Sequence, residues 1–207
     1  MKRPKLKSGQ NNTLLKMKSN NTKGFTLIEL LVVIAIVAIL AVVVILTLNP
    51  AELLRQARDS NRLSDLGTMK SAISMTLADV TSPTIVRSAS YSFCYESASS
   101  TTIGANCGFT GTYTATTSTS TAVDGTGWLP VVFTAISSGA PIGNLPLDPV
   151  NSGDNVYAYV ASSTLVFELN ARLESTKYTT AGTGAESTDG GNNSTAYETG
   201  TAPGLAL

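Results

Sequence analysis

The first strong feature of the hydrophobic pattern is an unbroken run, in which all 17 residues from Leu30 to Leu46 are apolar. With its flanks the run reaches about 24 residues, or roughly 36 Å as a helix, against about 30 Å for a bilayer core. A buried strand is the alternative, but strands rarely exceed about ten residues. A lone segment in lipid must also satisfy its own backbone, which only a helix does. The pattern therefore predicts a transmembrane helix over 25–48.

A cleaved secretory signal peptide is a second alternative for this run. The apolar core of such a peptide usually has about 7–15 residues and is followed by a small-residue cleavage site. Here the core is longer, and the small residue, Gly24, precedes it. Cleavage at Gly24 would therefore leave the hydrophobic helix on the mature protein.

An amphipathic pattern follows the apolar run. Asn49 and Pro50 indicate a helix start, and Pro50 would kink any helix that continued through it. Apolar residues then recur every three or four positions, which predicts a helix over 49–80 with one face packed on a globular domain. These residues are Leu63, Leu66, Met69, Ile73, Leu77 and Val80. We expect the charged residues to lie on the other faces; they are Arg55, Arg58, Asp59, Arg62, Asp65 and Lys70.

Beyond Ser82 and Pro83 the chain becomes rich in Ser, Thr, Gly, Tyr and Val, with frequent turn residues. This composition predicts short strands, the last two of which form a hairpin around 161–163. The predicted strands are Tyr91–Tyr95, Trp128–Ala135, Val156–Val160 and Thr164–Leu169. The Thr/Ser-rich stretch 110–121 is either an exposed strand or a mobile loop. The tail 179–200 is expected to be a loop.

Together these patterns predict an α+β fold. A long N-terminal helix, apolar in its first half and amphipathic in its second, is expected to pack on a small antiparallel β-sheet domain. The predicted organisation is a basic leader at 1–24, a transmembrane helix at 25–48, an amphipathic helix at 49–80 and an extracytoplasmic β-rich domain with flexible loops at 83–207.

Charge is distributed asymmetrically, although the formal net charge is zero. The first 24 residues carry seven of the 14 Lys and Arg residues and no acid, whereas ten acids and three basic residues follow from Ser71 onward. Short basic segments resist translocation. We therefore expect a single-pass protein of the bacterial cytoplasmic membrane, with its N-terminus inside. The acidic domain, with its scattered basic residues, is not expected to bind nucleic acid directly.

The residue inventory narrows the chemistry further. Histidine is absent, which removes the commonest general base and metal ligand. No carboxylate or Ser/Lys arrangement marks catalysis, so we predict a non-enzyme without catalytic residues. Cys94 and Cys107 are the only cysteines, and in an oxidising compartment they predict one disulfide. Two unrelated buried thiols are the alternative.

Glu29 interrupts the apolar pattern near the start of the first helix. A carboxylate is costly in lipid, although less so near the interface, where Glu29 could reach the headgroups. The alternative is a cationic partner. Cleavage after Gly24 would supply one, because the new ammonium group of Phe25 would lie one helical turn from Glu29 on the same face. Such a pair gains an energy comparable to the burial penalty, and it could also form between neighbouring subunits.

The stretch KGFTLIELLVVIAIVAILA, which begins at Lys23, resembles the processing and assembly signal of type IV pilins and of type II secretion pseudopilins. The resemblance implies that prepilin peptidase cuts between Gly24 and Phe25 and N-methylates Phe25. It also implies that a side chain at position 24 would obstruct the peptidase, and that Glu29 guides docking into a helical filament. A second segment, LPLDPVNSGDNVYAYV, resembles a turn followed by an aromatic strand in major pseudopilins and related pilins.

The resemblance leads us to expect a structural subunit that is cleaved, N-methylated and polymerised by self-association into a type IV pilus-like filament. Its expected partners are prepilin peptidase, the membrane and the inner-membrane assembly machinery of a pilus or secretion system. Its final location would be an extracellular or periplasmic filament. One alternative is a type II secretion pseudopilin. Another is a stand-alone, single-pass surface binding protein, which would be neither cleaved at Gly24 nor dependent on Glu29.

Two loops place oxygen ligands close together in the sequence. They comprise Asp148, Asn151, Asp154 and Asn155 in one loop, and Glu186, Asp189, Asn192 and Asn193 in the other. Such residues commonly form turns, and neither loop has EF-hand spacing. Pseudopilin relatives, however, hold calcium in a loop of this domain. We therefore expect no cofactor, with calcium as the alternative and Asp148, Asp154 and Asp189 as its candidate ligands.

Overall fold

The computed structural model describes residues 24–87, 91–100, 107–202, 204 and 206–207. The chain divides into two compact units after Thr47. Apart from Gly24, the predicted leader lies outside the described residues. In its described part the first unit is helix α1 (Leu27–Leu48), which carries apolar side chains on all faces. These side chains are exposed, Leu27 to 81% and Val32 still to 48%.

The second unit begins with helix α2 (Pro50–Asp79). Asn49 caps this helix in a left-handed conformation (φ 40°), and its side-chain oxygen accepts a hydrogen bond from Glu52 N at 3.4 Å. Asparagine tolerates this conformation better than most residues, and Pro50 suits the first helical position. At the other end, the carboxylate of Asp79 accepts hydrogen bonds from Ser137 N at 2.7 Å and Ser137 Oγ at 2.8 Å.

A five-stranded sheet forms the rest of the framework, in the order β2-β1-β3-β4-β5. Its strands are β1 (Phe93–Glu96), β2 (Thr114–Thr117), β3 (Tyr157–Ala161), β4 (Phe167–Ala171) and β5 (Tyr197–Gly200). The α+β prediction, with a long helix and a small sheet, is confirmed. The sheet is mostly antiparallel, but β1 and β2 run parallel.

One face of the sheet packs on α2. Leu66, Met69 and Ile73 recur at helical spacing and are buried in one cluster with alternate residues of the sheet, including Tyr159 and Leu169. The apolar stripe predicted for this helix is thus confirmed at its centre. Its remaining members, Leu63, Leu77 and Val80, are half-buried.

The opposite face of the sheet carries a smaller apolar cluster. Ala158 and Val160 of β3 lie there with Cys94, Cys107 and Phe109. Because both faces are covered, every residue of β3 is buried. Such a strand reads as a continuous apolar run, which matches its sequence YAYVA.

Two predictions of local structure are wrong. Trp128–Ala135 forms no strand; its apolar side chains are buried in an irregular segment that ends in a single 3-10 turn at Phe133–Ala135. Pro130 lacks the N–H that a central strand requires. The tail 179–200 is not simply a loop, because it holds helix α4 (Ala185–Thr188) and β5. A further short helix, α3, covers Thr176–Thr179.

Candidate functional site

The start of α1 is organised around the carboxylate of Glu29. Its Oε2 accepts hydrogen bonds from Thr26 N at 2.7 Å and from Thr26 Oγ1 at 2.8 Å. In return Glu29 N donates to Thr26 Oγ1 at 3.3 Å. This reciprocal arrangement is a capping box, which satisfies backbone N–H groups that a first helical turn leaves unpaired. The role of Thr26 is absent from our sequence predictions, although the Thr-x-x-Glu spacing signals it.

Gly24 lies just before this capping box, in open space. A Cβ atom built on Gly24 would meet no atom of the described residues within 4 Å. The neighbouring side chain of Phe25 is 91% exposed. The described structure therefore gives no internal reason for glycine at position 24.

Helix α1 also meets the requirements of a membrane anchor. Within the described part of the chain, one helix is long and apolar enough to cross a membrane; its span is Leu27–Ile45, with a mean hydropathy of 3.4. None of this span is buried against the rest of the chain. Glu29 lies in the first turn of this span, where a carboxylate costs less than at the bilayer centre.

Comparison with known protein families matches residues 19–45 to the prokaryotic N-terminal methylation motif. The chain carries the type IV pilin and pseudopilin signature. This pilin signature covers Gly24, Phe25, Glu29 and most of α1, and it points to a structural subunit. It implies processing by prepilin peptidase and assembly into pili or pseudopili. No curated protein and no solved structure is significantly similar to the chain.

Both cysteines lie far from the pilin signature in sequence, within the second unit. A disulfide joins Cys94 in β1 to Cys107, with their Cα atoms 6.1 Å apart. Both residues are fully buried. The bond therefore links Cys107, which packs on the face of the sheet opposite α2, directly to β1.

The three calcium candidates lie apart, each engaged with protein groups. Asp148 receives both arms of the Arg62 guanidinium, and Asp154 forms an ion pair with Arg172. Asp189 accepts backbone N–H groups, among them that of Glu198 at 2.8 Å. Within the described ranges, no group of three or more His, Cys, Asp or Glu residues is placed to hold a metal ion. Calcium binding stays a prediction.

A buried ion network joins α2 to the loops of the β-domain. Arg62 donates to Asp148 Oδ2 at 2.6 Å and Oδ1 at 2.9 Å, to Asp59 Oδ1 at 2.7 Å and to Glu174 Oε2 at 2.8 Å. The Arg62 and Asp59 side chains are completely buried on the same face of α2 as Leu66, so the prediction that they lie on the other faces of the helix is wrong. Burial is tolerated because each charge meets an opposite charge and hydrogen-bonding partners. The Arg58 guanidinium, more than that of Arg62, holds the pKa of Glu174 below its usual value.

Two glutamates on the second face of the sheet form a different kind of pair. Glu168 of β4 and Glu198 of β5 are 1% and 2% exposed, and each carboxyl group accepts a backbone N–H, from Leu207 and Asn193 respectively. Burial, more than the neighbouring carboxyl of Glu198, raises the pKa of Glu168 to about 9, and burial also raises the pKa of Glu198.

Proposed function

We propose that the chain is a prepilin whose mature form begins at Phe25 and polymerises into a type IV pilus-like filament. The observation that carries the proposal is the pilin signature over residues 19–45, placed on an apolar helix whose first turn presents Glu29. On this proposal prepilin peptidase cuts after Gly24 and methylates the new amino group. The basic N-terminus stays in the cytoplasm, in keeping with its lysines.

The capping box supports a role for Glu29 in assembly. Both bonds from Thr26 use Oε2, and Oε1 has no hydrogen-bond partner among the described residues. Thr26 remains after cleavage at Gly24, so the capping box can persist in the mature protein. It would hold the carboxylate toward the end of the helix where the ammonium group of Phe25 appears. Oε1 could then bind that ammonium group, in the same subunit or in a neighbour.

The exposed surface of α1 explains why an ion pair would matter. In the membrane α1 contacts lipid, and in a filament it contacts other helices, which are equally apolar. Apolar burial therefore contributes little preference for the filament, and packing and polar contacts must supply it. If the Glu29 carboxylate pairs with an ammonium group only when helices meet, that ion pair favours the filament over the membrane.

Processing is tested first. We expect mature protein to begin with methylated Phe25, and we expect Gly24→Asp to retain the 24-residue leader. Gly67→Asp is the matched control, because Gly67 is also an open glycine and its substitution should leave processing intact. N-terminal sequencing and gel mobility make the measurement. A mature-length band from Gly24→Asp would refute the proposed cleavage.

Assembly is tested at Glu29 with two contrasting variants. Glutamine can still cap the helix but carries no charge, so Glu29→Gln separates pairing from capping. We expect Glu29→Gln to insert and be processed normally but to give few filaments, whereas Thr26→Val, which keeps the charge, should assemble better. Sheared filament yield, measured against membrane content, reports the outcome. Normal yield from Glu29→Gln would rule out the pairing argument.

The pilin signature is shared with type II secretion pseudopilins, so this function is the alternative. The Thr-rich segment around β2 and the size of the domain favour a pilus. Immunolabelling of whole cells with an antibody to residues beyond Ser82 distinguishes the two. Filaments that extend from the cell surface support a pilus, and labelling confined to the periplasm supports a pseudopilin.

A further inference from the structure

Strand β2 forms one edge of the sheet and pairs only with β1 among the described residues. Thr114 N donates to Ser92 O at 2.8 Å and Ser118 N donates to Glu96 O at 3.1 Å, so even-numbered residues direct their N–H groups toward β1. In a strand, successive residues direct these groups to opposite sides. The backbone N–H and C=O groups of Ala115 and Thr117 therefore point away from the sheet.

This edge lacks the usual protection against strand pairing. Proteins commonly guard edge strands with charged side chains, proline or a bulge. Residues 107–123 contain no charged residue and no proline. The pairing of β2 with β1 is continuous over all four residues, from Phe93↔Thr114 to Glu96↔Thr117, so no bulge interrupts it. Four of the five residues from 114 to 118 are Thr or Ser, and β-branched threonine favours extended backbone.

The opposite edge of the sheet is closed. Glu198 N of β5 donates to Asp189 Oδ2 at 2.8 Å, and the Glu198 carboxylate accepts from Asn193 N at 2.8 Å. The segment 189–193 thus lies along the outer side of β5, where the Asp189 carboxylate binds the backbone N–H of Glu198. Because no described residue pairs with the outer side of β2, an added strand could pair with this sheet there.

We propose that β2 is a self-association edge, which pairs antiparallel with β2 of a second copy in a neighbouring filament and so bundles filaments laterally. The inference rests on the proposed function. With the two strands centred on Thr116, Ala115 of each copy lies opposite Thr117 of the other. Each such pair then exchanges both of its N–H···O=C bonds.

Charge and symmetry both favour a second copy of this chain as the partner that pairs with β2. Two acidic domains would generally repel each other, but residues 107–123 are uncharged and can meet without juxtaposing like charges. Antiparallel pairing of one strand with itself is two-fold symmetric, whereas contacts along a polar helical filament are head-to-tail. The pairing therefore joins separate filaments. A four-residue contact is weak alone, and its repetition along two filaments makes bundling strong.

The test compares purified filaments of full-length variants. Thr117→Pro removes an outward N–H group while leaving the bonds to β1, and Thr114→Lys adds a charge on an exposed position of β2. Thr134→Lys is the matched control, because Thr134 is exposed but lies outside residues 107–123. We expect both β2 variants to lower the fraction of filaments that pellets at low speed by about tenfold, as repeated weak contacts are lost together. Thr134→Lys filaments should bundle like wild type.

Electron microscopy of the same samples separates this proposal from the proposed function. If the wild-type chain forms no filaments, the proposed function fails, and this inference fails with it. If single filaments form in normal numbers and the β2 variants bundle like wild type, only the β2 proposal is overturned. Purified wild-type filaments that bundle only after culture supernatant is added would assign the edge to a different protein, and would also overturn self-association.

Discussion

Replacing Arg62 with methionine tests whether the buried ion network holds α2 to the β-domain. Methionine is similar in length and apolar, so it fills most of the space without adding a polar group. The change removes four hydrogen bonds to carboxylates, two of them to Asp148. Asp59 and Asp148 are then left buried with no opposite charge from this side chain.

Removing one partner of a buried ion pair usually costs about 3–5 kcal/mol, because the remaining charge stays desolvated. Here the carboxylates keep other partners. Asp59 still accepts from Ser175 N and Oγ, and Asp148 still accepts from Val150 N. The lower end of the range, about 3 kcal/mol, is therefore the expected loss in free energy of unfolding. With an m-value of about 2 kcal/mol/M, the urea midpoint should fall by about 1.5 M.

Urea unfolding of the detergent-solubilised full-length protein provides the measurement. Trp128 is the only tryptophan, is 1% exposed, and donates from Nε1 to Pro146 O at 2.9 Å, so its fluorescence reports the integrity of the core. Arg55→Met is the matched control. The Arg55 side chain is 52% exposed and lies 3.9 Å from Glu52, so its loss should change stability by less than about 1 kcal/mol. If the midpoint of Arg62→Met matched that of Arg55→Met, the reasoning about desolvated charge would be wrong.

Two further predictions concern the face of the sheet opposite α2. Because the pKa of Glu168 is about 9 in the folded protein against an ordinary 4.5, its contribution to stability is complete below about pH 4.5 and is lost as the pH rises toward 9. Thermal unfolding between pH 6 and pH 9 should show a falling melting temperature, and Glu168→Gln should flatten this slope; an unchanged slope in the variant would contradict the assignment. The disulfide closes a loop with a sequence separation of 13, so Cys94→Ser with Cys107→Ser should lower stability by about 3 kcal/mol. In the urea assay, reductant should lower the stability of the wild type by a similar amount and leave the double variant unchanged. If reductant did not change the stability of the wild type, the predicted contribution of the disulfide would be wrong.

The helical half of the fold could be predicted from sequence because local rules determine it. Seventeen apolar residues in a row leave little choice but a helix, and Asn49 followed by Pro50 marks the start of the next one. The central apolar stripe of α2 also follows directly from helical spacing. These signals act over a few residues, so no knowledge of distant contacts is needed.

The buried position of Arg62 could not be predicted in the same way. Charged residues are almost never fully buried unless they are paired, and the pairing here joins residues 86 and 112 positions apart. By spacing alone Arg62 lies on the apolar stripe, four residues before Leu66. Its charge led us to expect another face, because the helical pattern carries no information about Asp148 or Glu174. The spacing of Asp59 and Arg62 is compatible with an ion pair, but surface pairs have the same spacing.

The irregular part of the core misled the strand predictions for a related reason. Trp128, Leu129, Val131 and Phe133 are apolar because they fill space in the main core, not because they form a strand. Pro130 was the signal against a strand. Conversely, β5 lies in a Gly-, Thr- and Asn-rich tail, where composition predicts a loop. Its pairing with β4 supplies the order that its own sequence does not indicate.

Helix α1 leaves its large apolar side chains exposed within the described part of the chain. If the chain is the filament subunit proposed above, copies awaiting assembly would be stored in a bilayer. Growth of a fibre would then draw on a two-dimensional reservoir, replenished by diffusion in the plane. The growth rate would then depend on the number of copies per unit area of membrane and not on a concentration in solution.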